Sequence, residues 1–300
     1  MEKIAVVGAG MMGQGIAEFF ASKGYPVNLY ARRQEVLDQV RDKARANFKV
    51  FGVDEKAAEN IALFNSLKDA VECADLVIEN AAENVEVKQN LFAEMASYTG
   101  DNCILASNTS VIPITKIGEK VADGRRVLGT HWWNPPFLIP LVEVVQTERT
   151  SLENVERCIA IMNAAGKVAV HVKRDVAGFV ANRMQHALWR EAISIVERGI
   201  CDAETVDLCV KNSFGFRLPV LAPLETADLV GLDLTLAIHN NILSEIEDSH
   251  NPSPYLIDKV NNGELGMKTG KGFYPSWTPE TSQAVRTRLS TYLKKAVLGK

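Results

Sequence analysis

The strongest constraint on this chain lies at its start. An apolar run, Ile4-Ala5-Val6-Val7, leads straight into Gly8-Ala9-Gly10-Met11-Met12-Gly13, and a helical pattern follows at once. A continuous apolar run suits a strand buried on both faces. Glycines at this spacing have separate tasks: Gly8 permits a tight turn, Gly10 lets a ligand approach the backbone, and Gly13 lets the helix pack on the strand. The free N–H groups at the helix start, at Met11, Met12 and Gly13, then form an anion site suited to a pyrophosphate. Glycines can also serve a strand-to-helix turn alone, but this placement, directly after a strand and directly before a helix, is the context a dinucleotide requires.

Ile16, Phe19 and Phe20 share one face of that helix, Gly24 is a stop signal, and residues 27–30 read as a second strand, completing one βαβ unit. The end of the second strand separates NAD from NADP, because a carboxylate there accepts from the ribose 2′-OH whereas a 2′-phosphate needs cations. The chain reads Tyr30-Ala31-Arg32-Arg33, with Ala31 where an Asp is expected, so the sequence leans towards NADP. A solvated basic pair beside an NAD site is the alternative, and Glu35 can still serve the ribose.

Helices are expected over residues 34–50, 67–73, 85–98 and 151–165, the last with Ser151 as N-cap. Strands are expected over 76–78, 103–106, 127–130, 141–145 and 168–172. This alternation implies a mainly parallel, doubly wound sheet, since parallel neighbours need crossover connections. After residue 172 the strand signal fades and Met184, Leu188, Ala192, Ile195 and Val196 recur at helical spacing. Three hundred residues suit two domains, placed at 1–180 and 181–300. The last helix, with Val285, Leu289, Tyr292, Leu293 and Val297 on one face, is expected to pack on the body or on a second subunit.

Lys+Arg 33 against Asp+Glu 37 leaves a net charge of -4, which excludes a general attraction to nucleic acid or an anionic membrane. The cysteines, Cys73, Cys103, Cys158, Cys201 and Cys209, form no CxxC pair and fit a reducing, cytoplasmic compartment. No apolar run of membrane-spanning length and no signal-peptide pattern is found. His171, His186, His239 and His250 have no HxxxH or HExxH spacing, so no metal site is expected.

Two polar segments fall at predicted strand ends, where ligands bind in open α/β sheets: Ser107-Asn108-Thr109-Ser110 and Gly129-Thr130-His131-Trp132-Trp133-Asn134-Pro135-Pro136. Further on, Leu141-Val142-Glu143-Val144-Val145 carries a carboxylate inside an apolar strand, a costly burial unless it has a partner. Glu143 and His131 satisfy each other, and the carboxylate fixes the tautomer and raises the basicity of the imidazole. Oxidation of an alcohol requires a base for the hydroxyl proton as hydride leaves carbon, and His titrates closest to neutrality. Of Trp132 and Trp133, one is expected in the core and one in the wall of an apolar or cationic substrate pocket.

These segments, with Asp75-Leu76-Val77-Ile78-Glu79, Gly178-Phe179-Val180-Ala181-Asn182-Arg183 and Lys268-Thr269-Gly270-Lys271-Gly272-Phe273-Tyr274, resemble the L-3-hydroxyacyl-CoA dehydrogenase family over nearly the whole length. The resemblance implies an α/β fold, an N-terminal Rossmann doubly wound sheet followed by an all-α C-terminal domain. It implies His131 as general acid/base, Glu143 as its orienting carboxylate, and Ser110 and Asn182 as hydrogen-bond partners of the reacting oxygen. Glu83, Lys88, Asn108, Asn134 and Lys268 would lie near an NAD(P) cofactor, and the helical domain would form a homodimer. Bland alternatives remain for three of these: a strand-end turn residue for Ser110, a helix-start hydrogen bond for Asn182, and a solvated surface lysine for Lys268.

Residues 33–74 are too short for the helical hairpin of the members that act on CoA thioesters. The motifs look closer to the branch acting on free 3-hydroxy acids, such as L-gulonate 3-dehydrogenase (lambda-crystallin) and carnitine dehydrogenase, and to a pyridine-carboxylate aldehyde dehydrogenase of vitamin B6 breakdown. Arg217 is the candidate anchor for a substrate carboxylate, with a surface arginine as the alternative. The expected activity is hydride transfer between nicotinamide and a 3-hydroxy/3-oxo acid or acyl-CoA. An aldehyde or imine substrate, or a non-catalytic nucleotide-binding role, is the alternative.

Overall fold

The computed structural model describes residues 1–298. The chain divides into two compact units, one formed by Met1–Val180 with the chain from Thr291 onward, the other by Ala181–Ser290. The first unit contains strands β1 (Ile4–Val7), β2 (Val27–Tyr30), β3 (Ile61–Phe64), β4 (Leu76–Glu79), β5 (Ile104–Ser107), β6 (Val127–Trp132), β7 (Leu141–Val145) and β8 (Val168–Val172). They form one sheet in the order β3-β2-β1-β4-β5-β6-β7-β8. Its helices are α1 (Met11–Ser22), α2 (Gln34–Leu37), α3 (Val40–Phe51), α4 (Leu67–Val71), α5 (Val85–Tyr98), α6 (Ile114–Ile117) and α7 (Leu152–Ala164).

The sequence pattern explains why helices cover both faces. All four residues of β1 are buried, and they alternate between two cores: Ile4 and Val6 join Phe19, Phe20 and Phe48, whereas Ala5 and Val7 join Val71 and Phe92. Chain order reverses at β1, which has β2 on one side and β4 on the other, and in such sheets ligands bind beyond the carboxyl ends of the strands at this point. Ser151 caps α7, its Oγ accepting from Asn154 N–H at 3.2 Å.

Three features differ from the sequence expectation. β3 went unread because Ile-Ala-Leu-Phe is too short and too ordinary to be a strand alone; it becomes one by pairing in parallel with Val27–Tyr30. The helix expected over 34–50 is broken at Asp38-Gln39 into α2 and α3, with Leu37 and Val40 both turned into the core. β6 and β7 are antiparallel, in contrast to the other neighbours in the sheet.

The second unit is helical, with α8 (Ala181–Glu197), α9 (Ala203–Asn212), α10 (Phe214–Arg217), α11 (Pro223–Val230), α12 (Leu232–Ile242), α13 (Pro254–Asn261) and the larger part of α14 (Pro279–Leu298). Among its described residues Val206 is the one buried apolar side chain. On the face expected of α14, Leu293 packs against the core of the first unit, while Leu289, Tyr292 and Val297 are exposed. Among the described residues no helix is long and apolar enough to cross a membrane.

One charge enters the first unit's core. Lys167, 5% exposed, is driven by burial, with Lys23 adding repulsion, from the ordinary lysine value down to about 7. In the unfolded chain the same amine keeps its proton up to about pH 10.4. The unfolded state therefore binds more protons above pH 7, and stability rises with pH across that window. The Tm difference between the wild type and Lys167→Met should accordingly shift in favour of the wild type from pH 7 to pH 9 in paired thermal melts, and a pH-independent difference would contradict this burial.

Candidate active site

The glycine turn has the geometry its spacing demands. Gly8 adopts φ +106°, and a Cβ there would lie 2.7 Å from Asn80 O. A Cβ on Gly13 would fall 1.8 Å from Gly8 O, so helix and turn pack backbone on backbone. Gly10, the N-cap of α1, faces open space instead. Its lack of a side chain keeps free the volume in front of the first-turn N–H groups of Met11, Met12 and Gly13, as a pyrophosphate requires. At the end of β2, Ala31 is buried with its N–H on Phe64 O at 3.1 Å, and Arg32, Arg33 and Glu35 are exposed.

Beyond β4 and β5 the loops are fastened by buried charge. Lys88, expected to touch the cofactor, is 1% exposed, and its Nζ donates to Glu79 Oε1 at 2.8 Å, Glu79 Oε2 at 3.0 Å and Ala81 O at 3.3 Å. Its donors are used inside the protein, where they fasten the loop after β4 beside the glycine turn. Glu79, which sequence reasoning did not single out, also accepts from Ser107 Oγ at 2.7 Å. Glu83 accepts from Thr109 Oγ1 and from Ser110 N–H at 3.2 Å, and lies 3.4 Å from Lys88 Nζ. Partial burial pulls its carboxyl upward, but the Thr109 bond, the Lys88 charge and the Ser110 N–H outweigh it and hold Glu83 below the usual carboxylate range.

Asn108 is committed in the same way: its Nδ2 donates to Asn80 Oδ1 at 2.8 Å and its Oδ1 accepts from Trp132 N–H at 2.9 Å. It ties together the ends of β4, β5 and β6. Ser110 is exposed at the end of this loop.

The antiparallel register of β6 and β7 sets His131 directly opposite Glu143. Opposed residues in an antiparallel pair project from the same face with their Cβ atoms close. His131 Nδ1 and Glu143 Oε2 are 2.8 Å apart, with both side chains nearly buried. Glu143 Oε1 accepts from Val180 N–H at 2.9 Å. With Nδ1–H given to the carboxylate, the lone pair of the imidazole sits on Nε2. Phe179 adopts φ 50°, an uncommon region for a bulky residue, and its buried ring lies 5.4 Å from that of His131. This turn presents the Val180 N–H to Glu143. Neither Phe179 nor Val180 was singled out from the sequence, although the motif around Gly178 contains both.

Trp133 stands edge-on to His131 with ring centroids 5.5 Å apart, whereas Trp132 packs in the core against Phe19 and Phe20. Of the two tryptophans, Trp132 is therefore the core residue, and its place in a substrate-pocket wall falls away. Asn134, exposed, precedes Pro135 across a cis peptide bond. Asn182, in the first turn of α8 and partly buried, belongs to the second unit, as do the exposed Arg217 at the end of α10 and the exposed Lys268. Lys268 stands in a turn bridged by Gly266 and Lys271. Among the described residues no cluster of His, Cys, Asp and Glu could hold a metal ion.

Comparison with known families matches the NAD binding domain of 3-hydroxyacyl-CoA dehydrogenase over residues 3–176 and the C-terminal domain of 3-hydroxyacyl-CoA dehydrogenase over residues 178–276. The chain belongs to the 3-hydroxyacyl-CoA dehydrogenase family. It is 33% identical to the 5-formyl-3-hydroxy-2-methylpyridine 4-carboxylate 5-dehydrogenase of Mesorhizobium japonicum, over 95% of this chain and 94% of that one. It is 36% identical to the probable 3-hydroxybutyryl-CoA dehydrogenase of Bacillus subtilis, over 91% and 97%. A solved structure of 5-formyl-3-hydroxy-2-methylpyridine 4-carboxylic acid 5-dehydrogenase, described as an NAD+ dependent dismutase, matches with a TM-score of 0.90 at 32% identity, covering 100% of this chain and 99% of that one. As a member of this family the chain is an NAD-dependent oxidoreductase that acts on CH–OH groups.

The two glycines should separate folding from binding. Gly13→Ala, clashing with backbone, is expected to cost about 1–3 kcal/mol, seen as a lowered Tm. Gly10→Ala should leave Tm unchanged and weaken NADH about tenfold, or ~1.4 kcal/mol, in a fluorescence titration.

Proposed function

We propose that this protein interconverts a hydroxyl and a carbonyl group on a small carboxylate-bearing substrate, with His131 Nε2 taking up and returning the hydroxyl proton. The observation that carries this reading is the buried His131–Glu143 pair, 2.8 Å apart and further fastened by Val180 N–H. Glu143 stabilises the imidazolium that forms when the proton arrives, and Trp133 and Phe179 shield the ring from water. When bound, NAD supplies the hydride acceptor. Ser110, and Asn182 from the helical unit, are assigned to the reacting oxygen because neutral donors stabilise a developing alkoxide without competing for the proton.

For the cofactor we read NAD. The lean towards NADP rests on Arg32 and Arg33, two guanidinium groups exposed to solvent, and the similar solved structure is described as NAD+ dependent. Gly8, Gly10 and Gly13 would hold the pyrophosphate, with Glu83, Asn134 and Lys268 assigned to the rest of the cofactor.

A free acid is preferred to an acyl-CoA because the chain between β2 and β4 contains only α2, α3, a short 3-10 turn, β3 and α4, without a long helical hairpin. Arg217 is the proposed carboxylate anchor. A second reading, an aldehyde on a carboxylated ring, is favoured by the TM-score of 0.90 to a protein named for such a substrate. The five unpaired thiols support a reducing, cytoplasmic setting.

The helical unit supports a homodimer. Leu229, Leu232, Leu236 and Phe216 are each more than half exposed, and a unit with so little core needs a second copy to cover these side chains. Sedimentation should give twice the mass of one chain, and Leu232→Asp with Leu236→Asp should yield monomers with reduced helicity; a stable wild-type monomer would remove this assignment.

His131→Ala should retain NADH binding while kcat falls by about 10² to 10⁴, measured with acetoacetate, acetoacetyl-CoA and a formylpyridine carboxylate as a panel. Near-normal turnover would refute the acid–base role. Arg217→Ala should raise KM for the free acids alone, and an unchanged KM would remove the anchor.

A further inference from the structure

Lys167 lies in the interior without a carboxylate partner among the described ion pairs. It follows Gly166, whose φ of +95° turns the chain out of α7, and its N–H returns to Met162 O at 3.0 Å. Val168 N–H, at the start of β8, then bonds Pro140 O at 3.0 Å, so the lysine starts beside the connection between β6 and β7. Its side chain runs inward. Nζ donates to Pro136 O at 2.6 Å and to Ile139 O at 2.7 Å, and it lies 4.1 Å from the ring centroid of Phe19 and 5.0 Å from that of Trp132. Two carbonyls accept from the amine and two aromatic faces line it, which offsets part of the cost of burying its protonated form without an anion.

An amine held this way is costly, and its burial near neutrality is visible in its lowered proton affinity. A methionine would fill much the same volume without burying a charge. The purpose of the ammonium must lie in what it holds. Both carbonyls belong to the segment that joins the strand of His131 to the strand of Glu143. The same segment also rests on the glycine-rich helix: a Cβ on Gly15 would lie 2.6 Å from Pro136 Cγ, so α1 and the connection meet with no space between them. Trp132, next to His131, contributes its ring to the cation's aromatic surroundings and its backbone N–H to Asn108. Gly15 and Lys167 thus meet the connection itself, Asn108 fastens the strand end before it, and of these only Lys167 is titratable.

We propose that Lys167 is a positioning residue for the reaction, holding the Pro136 and Ile139 carbonyls so that the β6–β7 connection keeps His131 aligned with Glu143 and keeps Trp133 and Asn134 in place beside them. The lysine touches neither substrate nor cofactor. It acts through the segment, and the proposal rests on the acid–base reading of His131. Without the ammonium the strands still pair through their backbone ladder, but two interior carbonyls lose their donors and the segment moves to find others. Misplacement by an ångström suffices to slow a reaction that depends on alignment.

Lys167→Met, Lys167→Ala and His131→Ala should be compared with the wild type below the melting temperature of each, using the fastest substrate of the panel. Lys167→Met is expected to lower kcat by about 10- to 100-fold, to leave substrate KM and the Kd for NADH within about threefold, and to displace the limb of the kcat–pH profile that reports the base. Propylamine should restore part of the turnover of Lys167→Ala, and propanol, which fills the same space without charge, should not. A folded Lys167→Met with the kcat and pH profile of the wild type, or equal rescue by propanol, overturns the proposal and reduces Lys167 to a packing residue. Should Lys167→Met fail to fold, the comparison of propylamine with propanol on Lys167→Ala decides alone. An active His131→Ala would defeat the acid–base reading and the proposal with it, whereas an inactive His131→Ala beside a fully active Lys167→Met would defeat the proposal only.

Discussion

The antiparallel pairing of β6 with β7 is the constraint on which the buried His131–Glu143 pair and its surroundings depend. A carboxylate in an apolar strand is tolerable only with a partner, and Glu143 has one because the register puts His131 opposite it at 2.8 Å. A parallel neighbour would require a long crossover and would not bring two residues only twelve apart into direct opposition. The short turn of residues 133–140 is therefore inseparable from the pair, and Lys167 and Gly15, which meet this turn, and Asn108, which holds the end of β6 before it, belong to the same design.

At the other end of the crevice a second buried network has a comparable function. Lys88 and Glu79 are both out of solvent, and they hold Ala81, Ser107 and Glu83, while Glu83 in turn holds Thr109 and Ser110. Two loops from neighbouring strands become one rigid surface beside the glycine turn. Interior charge thus serves to fix loops in both halves of the sheet, which accounts for polar groups in a core that is otherwise aliphatic and aromatic.

Much of this was legible along the chain. The glycine spacing, the apolar runs and the capping Ser151 are local signals, so β1, α1, α5, β7 and α7 were foreseen close to their observed bounds. β3 was not, because a four-residue run acquires strand character only from its neighbour in the sheet. Glu143 was readable as a partner for His131 because burial of a charge leaves few alternatives. The internal bonds of Lys88 and Asn108 were not legible, since residue type reveals donor capacity but not whether a donor faces solvent or a buried acceptor.

By itself the sequence determined the class of sheet, the dinucleotide turn and the pairing of Glu143 with His131, because each follows from short-range sterics or from the cost of an isolated interior charge. The tertiary structure decided which of two adjacent tryptophans enters the core, which polar residues fasten loops, and where Lys167 spends its charge. Those outcomes depend on contacts with other elements of the fold, 9 residues away for Lys88 and Glu79 and 31 for Lys167 and Pro136, whose positions no local pattern records.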